Sequence, residues 1–204
     1  MPQAQRVRRP NRDEVRRRLL DGAAKALVSH GYGAASVEVI TEAAGLSRGA
    51  LYSNFSDKED LFLELLDQLE QRQITELRAV HAEHQHLGRL LDIISSRSRS
   101  SAQDARAHLM VQVELWLLAM RNPAVRKRVV TIQRRSIDAI AEAVSGAAVD
   151  LSPTEIAAVV AALSDGLLMQ RMLDPQSLRE TILTDVLREL ARFTGLLPRK
   201  RARA

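Results

Sequence analysis

The segment Ser47-Arg48-Gly49-Ala50-Leu51-Tyr52-Ser53-Asn54-Phe55 holds the residues of this chain whose types and spacing point most directly to chemistry, and that chemistry is binding. Its helical core is barely two turns long, and a helix that short is marginal alone in water, so neighbours must hold it. Opposite the apolar Leu51 and Phe55 lies a face of Gly49, Ala50, Tyr52 and Ser53 with Arg48 at the helix start. A small, polar and aromatic face suits a helix pressed against a grooved polyanion. Arg48 has the donor geometry to engage a guanine bidentately, and Ala50 is of a size to meet a thymine methyl group.

Other chemistries find less support. The sequence has no Gly-rich phosphate loop, no His-Glu-x-x-His and no nucleophile-elbow motif. It has no cysteine, which excludes disulfides and thiolate chemistry. His81, His84 and His86 could be written as a metal site, but no carboxylate or thiol sits at ligand spacing and a solvated cluster is the plainer reading. No metal and no cofactor are expected. Glu114 is a different case. If His108 and Gln112 mark the solvated stripe of their helix, Glu114 falls on the opposite side, among Met110, Val111, Leu117 and Leu118. A buried carboxylate needs a partner. An internal Arg or a tilted, wet helix would satisfy it, or it anchors a ligand in an apolar cavity, with Phe62, Met110, Trp116 and Met169 as further contacts. On this second reading the effector is largely apolar.

The elements that must position these residues can be read from caps and periodicity. Asn11 with Glu14 opens a first helix whose stripe is Val15, Leu19, Ala23 and Ala26-Leu27, down to Gly31. Ser36 caps a helix through Ala44, Gly45 takes the left-handed C-cap position, and Ser47 caps the next helix. Helix, three-residue Gly-containing turn and short helix form a helix-turn-helix, with the first helix as brace. An ordinary helical hairpin in an all-α core remains open on spacing alone. Ser56 with Glu59 opens a long helix through Phe62, Leu65-Leu66 and Leu69 toward Leu77 and Val80. A short helix is expected near 87–94, a central apolar one over 109–120, and further helices after Asn122-Pro123 and Ser152-Pro153-x-Glu155. The last helix carries Leu178, Ile182, Val186, Leu190 and Phe193. Ala157 to Leu163 is apolar all round, as a helix on a monomer's surface cannot be.

Charge follows the same division. Residues 1–58 hold ten Lys/Arg against six Asp/Glu, residues 59–198 sixteen against nineteen, and the last six residues four more basic groups. Positive charge therefore gathers where the helix-turn-helix lies. Aromatics are 3% of 204 residues, which favours helices over sheets. No signal core is read at the basic start, and no run is read as a membrane span, the richest being broken by Glu114 and Asp165. A cytoplasmic protein with no membrane partner is the expectation.

The order of residues resembles the tetracycline-repressor (TetR) family of transcriptional regulators. The resemblance rests on Gly31-Tyr32, Ser36-Val37, Ile40, Ala44-Gly45-Leu46-Ser47, Gly49, Leu51-Tyr52, Asn54-Phe55, Lys58-Glu59 and Leu61, and covers the first quarter to third of the chain. Asn54 stands where many members carry His or Tyr. The elements read above make an all-α protein of about nine helices with an N-terminal three-helix helix-turn-helix domain, and the resemblance adds a C-terminal helical ligand-binding and dimerisation domain. The expected segments are a basic arm over 1–10, the DNA-binding domain over 11–57, the effector and dimer domain over 58–197 and a basic tail over 198–204. It also implies a homodimer through the last two helices, roughly Ser152 to Leu197, on the double-stranded DNA of a palindromic operator.

On this reading Arg48, Gly49, Ala50 and Ser53 face base edges, Ser36, Tyr52, Asn54 and Lys58 hold phosphates and fix the register, and Ser47, the cap, completes the DNA-binding set. The function expected is a ligand-responsive regulator, a repressor released by a small-molecule effector, and not an enzyme. A small all-α enzyme and a DNA-independent helical adaptor are the alternatives. Duplex binding abolished by changes at Arg48 and Tyr52 would separate the first reading from both.

Overall fold

The computed structural model describes residues 11–83, 102–145, 150–179 and 181–193. The described residues form eight α-helices and no strand: α1 (Arg12–Ala34), α2 (Val37–Ala44), α3 (Arg48–Tyr52), α4 (Lys58–Glu83), α5 (Ala102–Arg121), α6 (Pro123–Ala143), α7 (Pro153–Leu173) and α8 (Ile182–Phe193). The short helix expected near 87–94, His84, His86, the arm over 1–10 and the tail over 198–204 lie outside the described residues. The chain divides into two compact units, residues 1–65 and 66–204, and the division falls inside α4.

In the first unit every helix start is written in a side chain. The Asn11 carboxamide accepts from the Glu14 N–H at 2.7 Å, Ser36 from Val39 at 3.3 Å and Ser47 from Ala50 at 3.2 Å, each satisfying an N–H with no helical acceptor. Gly45 ends α2 at φ 62°, ψ 41°, a left-handed conformation that a side chain would strain, and the Leu46 N–H closes onto Thr41 O at 2.9 Å. Gly31 (φ 74°) likewise breaks the end of α1. Gly22 does a different job. A Cβ there would stand 2.8 Å from the Ile40 carbonyl oxygen and 2.9 Å from Ala44 Cβ, so the missing side chain is what lets α1 and α2 touch. Leu19, Ala23, Leu27, Ile40, Leu51, Leu61 and Phe62 fill the core.

The start of α4 differs from expectation by one residue. Asp57, not Ser56, is the cap: its carboxylate accepts from the Asp60 N–H at 2.7 Å, and Asp60 accepts from the Ser56 N–H at 3.1 Å. The physical reason is charge, since two carboxylates suit the positive end of a helix dipole better than a hydroxyl does.

In the second unit the Asn122 side chain accepts from the Ala124 N–H at 3.0 Å with Pro123 in the first turn of α6, and Ser152 and Glu155 form a reciprocal capping box for α7. A core of Ile74, Leu77, Ala139, Val144, Leu187 and Ala191 joins α4, α6 and α8 with the end of the α6 turn. One expectation about a face is corrected here, and one left open is resolved at Ala157. On α5 the buried stripe is Ala107, Val111, Leu115 and Ala119, and His108 and Gln112 lie beside it, buried, while Leu117 and Met120 are exposed. The polar pair, expected on the solvated side, faces inward to partners on α4 and α7. On α7, Ala157 is fully buried within its own chain, whereas Val159 is 62% and Leu173 83% exposed. Helix α7 is also long and apolar enough to cross a bilayer, with a mean hydropathy of 1.5 over its most apolar window.

Candidate nucleic-acid interface and effector cavity

Helix α3 is held from α1 by two arginines. Arg18 donates to the carbonyls of Ala44 (2.8 and 3.2 Å) and Gly45 (3.0 Å), placing a cation on the unpaired acceptors that end α2. Arg16 donates to the Asn54 carbonyl at 2.8 Å, lies 4.5 Å over the Phe55 ring and pairs with Glu64 at 3.2 Å. Both ends of the turn-helix segment are thereby fixed to the brace. Sequence reasoning passed over these two residues because an Arg on a helix face is ordinarily a solvated one.

The outward face carries the expected residues. Arg48, Gly49, Tyr52 and Ser53 are exposed and Ala50 is half-buried, with Tyr52 53% exposed at the helix end. A Cβ at Gly49 would meet only Ser47 Oγ, at 3.8 Å, so internal packing does not require the glycine; it keeps the outer surface low. Ser53 turns its hydroxyl back to the Ala50 carbonyl at 3.0 Å.

Three of the residues expected at phosphates have internal duties. The Asn54 amide donates to the Ala50 carbonyl at 2.8 Å, ending α3, and its side-chain oxygen is buried with no hydrogen-bond partner among the described residues. Lys58 donates to the Tyr32 carbonyl at 2.8 Å and lies 4.3 Å over the Tyr32 ring, which itself packs on Phe62 with centroids 5.1 Å apart. Ser36 caps α2 through the Val39 N–H. Glu38 pairs with Arg48 at 2.9 Å, both side chains more than half exposed. Hydrogen bonds from its own backbone N–H and from Ser36, then the Arg48 charge, hold the Glu38 carboxyl below the usual carboxylate range.

The residues expected around an effector are divided between the two units. Phe62 belongs to the core of the first unit; Met110, Glu114 and Trp116 are half-buried on α5 and Met169 is exposed on α7. The Trp116 indole N–H is buried without an acceptor among the described residues. None of the five lines the cavity of about 90 Å³ found in the second unit. Its wall comes from α4, α5, α6 and α7, with Ile74, Leu77, Ile140 and Val160 on the apolar side. On the polar side are Glu70 and Gln73, both bonded to His108, which does not itself line the cavity: His108 Nε2 lies 2.9 Å from Glu70 Oε1, and Gln73 Nε2 lies 2.6 Å from His108 Nδ1. Ser136 donates to the other Glu70 oxygen, Gln112 donates to Asp165 at 2.9 Å, and the Gln73 amide oxygen is buried without a partner among the described residues. Two such polar groups four apart on an apolar helix, His108 and Gln112, were the signal in the sequence; periodicity marks a shared face without saying which way it looks. No group of three metal-ligating side chains occurs among the described residues.

Known proteins resemble both units. The family model "Bacterial regulatory proteins, tetR family" matches residues 19–65, and "BetI-type transcriptional repressor, C-terminal" matches residues 87–195. The HTH-type transcriptional repressor AcnR of Corynebacterium diphtheriae is 31% identical over 127 residues, 62% of this chain and 62% of that protein, so the match spans less than two thirds of the relative. Among solved structures, the regulator FadR of Bacillus subtilis in complex with stearoyl-CoA matches with a TM-score of 0.73 at 18% identity, over 89% of this chain and 98% of that one. A regulator from Saccharomonospora viridis in complex with choline matches with a TM-score of 0.72 at 21% identity, over 88% and 96%. At these identities the structures speak for the fold.

Proposed function

Since the chain belongs to the TetR family of bacterial transcriptional regulators, we propose that it binds a palindromic operator as a homodimer, in the cytoplasm, and represses transcription until a small-molecule effector releases it. The observation that carries the DNA-binding part is the exposed α3 face, small and polar with an arginine at its start, presented by a turn-helix segment clamped at both ends. Arg48, Gly49, Ala50 and Ser53 meet base edges, Ser47 sits at the helix entrance, and Tyr52 takes a phosphate. Ser36, Asn54 and Lys58 act there chiefly by shaping the segment, with any phosphate contact shared with the bonds they make inside the unit. Selection from a random duplex pool tests this, and a pool returning no symmetric motif would sink it.

The dimer rests on α7 and α8. Val159, Leu173, Val186 and Leu190 are exposed apolar residues on two helices whose other faces enter the chain's own core. A second copy covering them would bury that surface, and a two-fold pair would set recognition helices about 34–36 Å apart, one turn of duplex. The effector site is the cavity between α4, α5, α6 and α7. As it stands it is smaller than the ~300–1,000 Å³ of ordinary ligand pockets, so the effector is small or the helices part to admit it. Its lining also moves the expected effector from largely apolar to one that offers hydrogen-bonding groups beside an apolar body. The likeness to proteins holding stearoyl-CoA and choline supports a ligand in this kind of fold and not a particular molecule.

A further inference from the structure

The helix dipole favours a carboxylate at Glu38, but a DNA-facing surface does not. Glu38 occupies the second position of α2, exposed, on the unit whose neighbouring helix α3 is read as facing a polyanion. A charge there repels phosphate and would lower affinity for every sequence alike. Its surroundings show what it does instead. From the first turn of α2 the carboxylate reaches Nη1 of Arg48, the first residue of α3, at 2.9 Å. An exposed ion pair of this kind adds little to stability. Its effect lies in the freedom it removes, because Arg loses considerable rotamer entropy when fixed, and a side chain fixed before binding does not lose it again at the groove.

We propose that Glu38 is a positioning residue for base readout: it holds the Arg48 guanidinium at the entrance of α3 and withholds it from phosphate, so that Arg48 spends its remaining donors on a guanine edge. A guanidinium has five N–H donors. With Nη1 turned to Glu38, the Nη2–Nε edge is the one offered to O6 and N7 of guanine, the bidentate arrangement that carries sequence information. On non-specific DNA the same carboxylate opposes the backbone and no base edge compensates. Glu38 thereby trades total affinity for selectivity. The inference rests on the DNA-binding reading and adds to it a residue outside the recognition helix.

The test is selection from a random duplex pool by the full-length wild type and by the Glu38→Ala, Glu38→Gln, Arg48→Ala and Glu38→Ala/Arg48→Ala variants, with competition against a duplex of random sequence and thermal unfolding as a folding control. A bidentate Arg–guanine contact discriminates roughly 5–150-fold against the wrong base. Glu38→Ala should lose several-fold of that preference at the same base pair that Arg48→Ala relaxes, while binding random duplex more tightly, with an unchanged thermal midpoint. Glu38→Gln, which keeps an acceptor but not the charge, should bind random duplex as Glu38→Ala does while retaining part of the preference. The double variant should be no less selective than Arg48→Ala alone. Preference retained in Glu38→Ala, or lost at a different base pair, or affinity lowered equally for all sequences, would overturn the proposal while leaving the DNA-binding reading intact. A wild type that enriches no motif would remove both.

Discussion

Arg48 and Tyr52 sit one helical turn apart on the same five-residue helix, yet they should fail differently. A guanidinium at a base edge discriminates, and a phenol on a phosphate does not. Arg48→Ala should therefore relax preference at one base pair per half-site, costing ~1–3 kcal/mol on the best operator. Tyr52→Phe should weaken all duplexes by a common factor. Competition binding on a panel of single-base operator variants distinguishes the two patterns, and a flat response to Arg48→Ala would show that it holds the backbone. Lys58 is the residue where structure changes the forecast. Because its ammonium lies against the Tyr32 carbonyl and ring, Lys58→Met should lower the stability of the first unit by about 1–2 kcal/mol. A pure phosphate contact would leave unfolding unchanged and reduce only DNA affinity. Residue types alone named the exposed face correctly, since Gly49, Ala50 and Ser53 have little to pack with. They gave no sign of Glu38, Arg16 or Arg18, because a charge on a helix reads as solvated until the neighbouring helix is in place.

Helix ends were the most legible elements, for a physical reason: a cap is a contact within three or four residues. Asn11, Ser36, Gly45, Ser47, Asn122 and Ser152 all act where their types place them. Ser56 failed because Asp57 beside it is an equally good cap with charge added. Faces were less legible. On α5 the same three-and-four spacing serves an inward and an outward polar pair, and only the residues of α4, α6 and α7 decide that His108 and Gln112 turn in. Two substitutions test this level. Gly22→Ala would drive a methyl into the Ile40 carbonyl and Ala44, so it should cost about 1–3 kcal/mol as an overpacked contact and loosen α1 from α2. Gly33→Ala, with nothing within 4 Å, should be neutral or stabilise by roughly 0.4–1 kcal/mol. Chemical unfolding of the two variants side by side provides the measurement, and equal midpoints would mean that α1 can shift without cost. Ser47→Ala should cost about 1 kcal/mol through the lost cap.

For the whole molecule, assembly and response are separable. Val159→Asp with Leu190→Asp charges the two exposed apolar faces without touching the chain's own core. It should give a folded monomer by light scattering and abolish operator binding, because each half-site alone is weak. A wild type that is monomeric at micromolar concentration would refute the interface. Ala157 is unsuited to this test, since it is buried in its own chain and a charge there would unfold it. Response is a matter of linkage. An effector lowers DNA affinity only if it binds more tightly to a conformation whose recognition helices no longer fit successive grooves, and DNA must then weaken effector binding by the same factor. A coupling of ~1–3 kcal/mol, about 5–150-fold, would be ordinary. Helix α4 is the element through which it should pass, since it starts at Lys58 in the first unit and supplies Glu70, Gln73, Ile74 and Leu77 to the cavity. Gln112→Leu and Ser136→Ala remove two groups of the polar wall and should blunt the response to an identified inducer while leaving operator affinity in its absence unchanged. Trp116→Phe, outside the cavity, should respond as the wild type does. Titrating the inducer against a fixed operator complex, and operator against a fixed inducer complex, measures both sides of the linkage. Loss of response in Trp116→Phe with retention in Gln112→Leu and Ser136→Ala would move the effector site out of this cavity and onto the other face of α5.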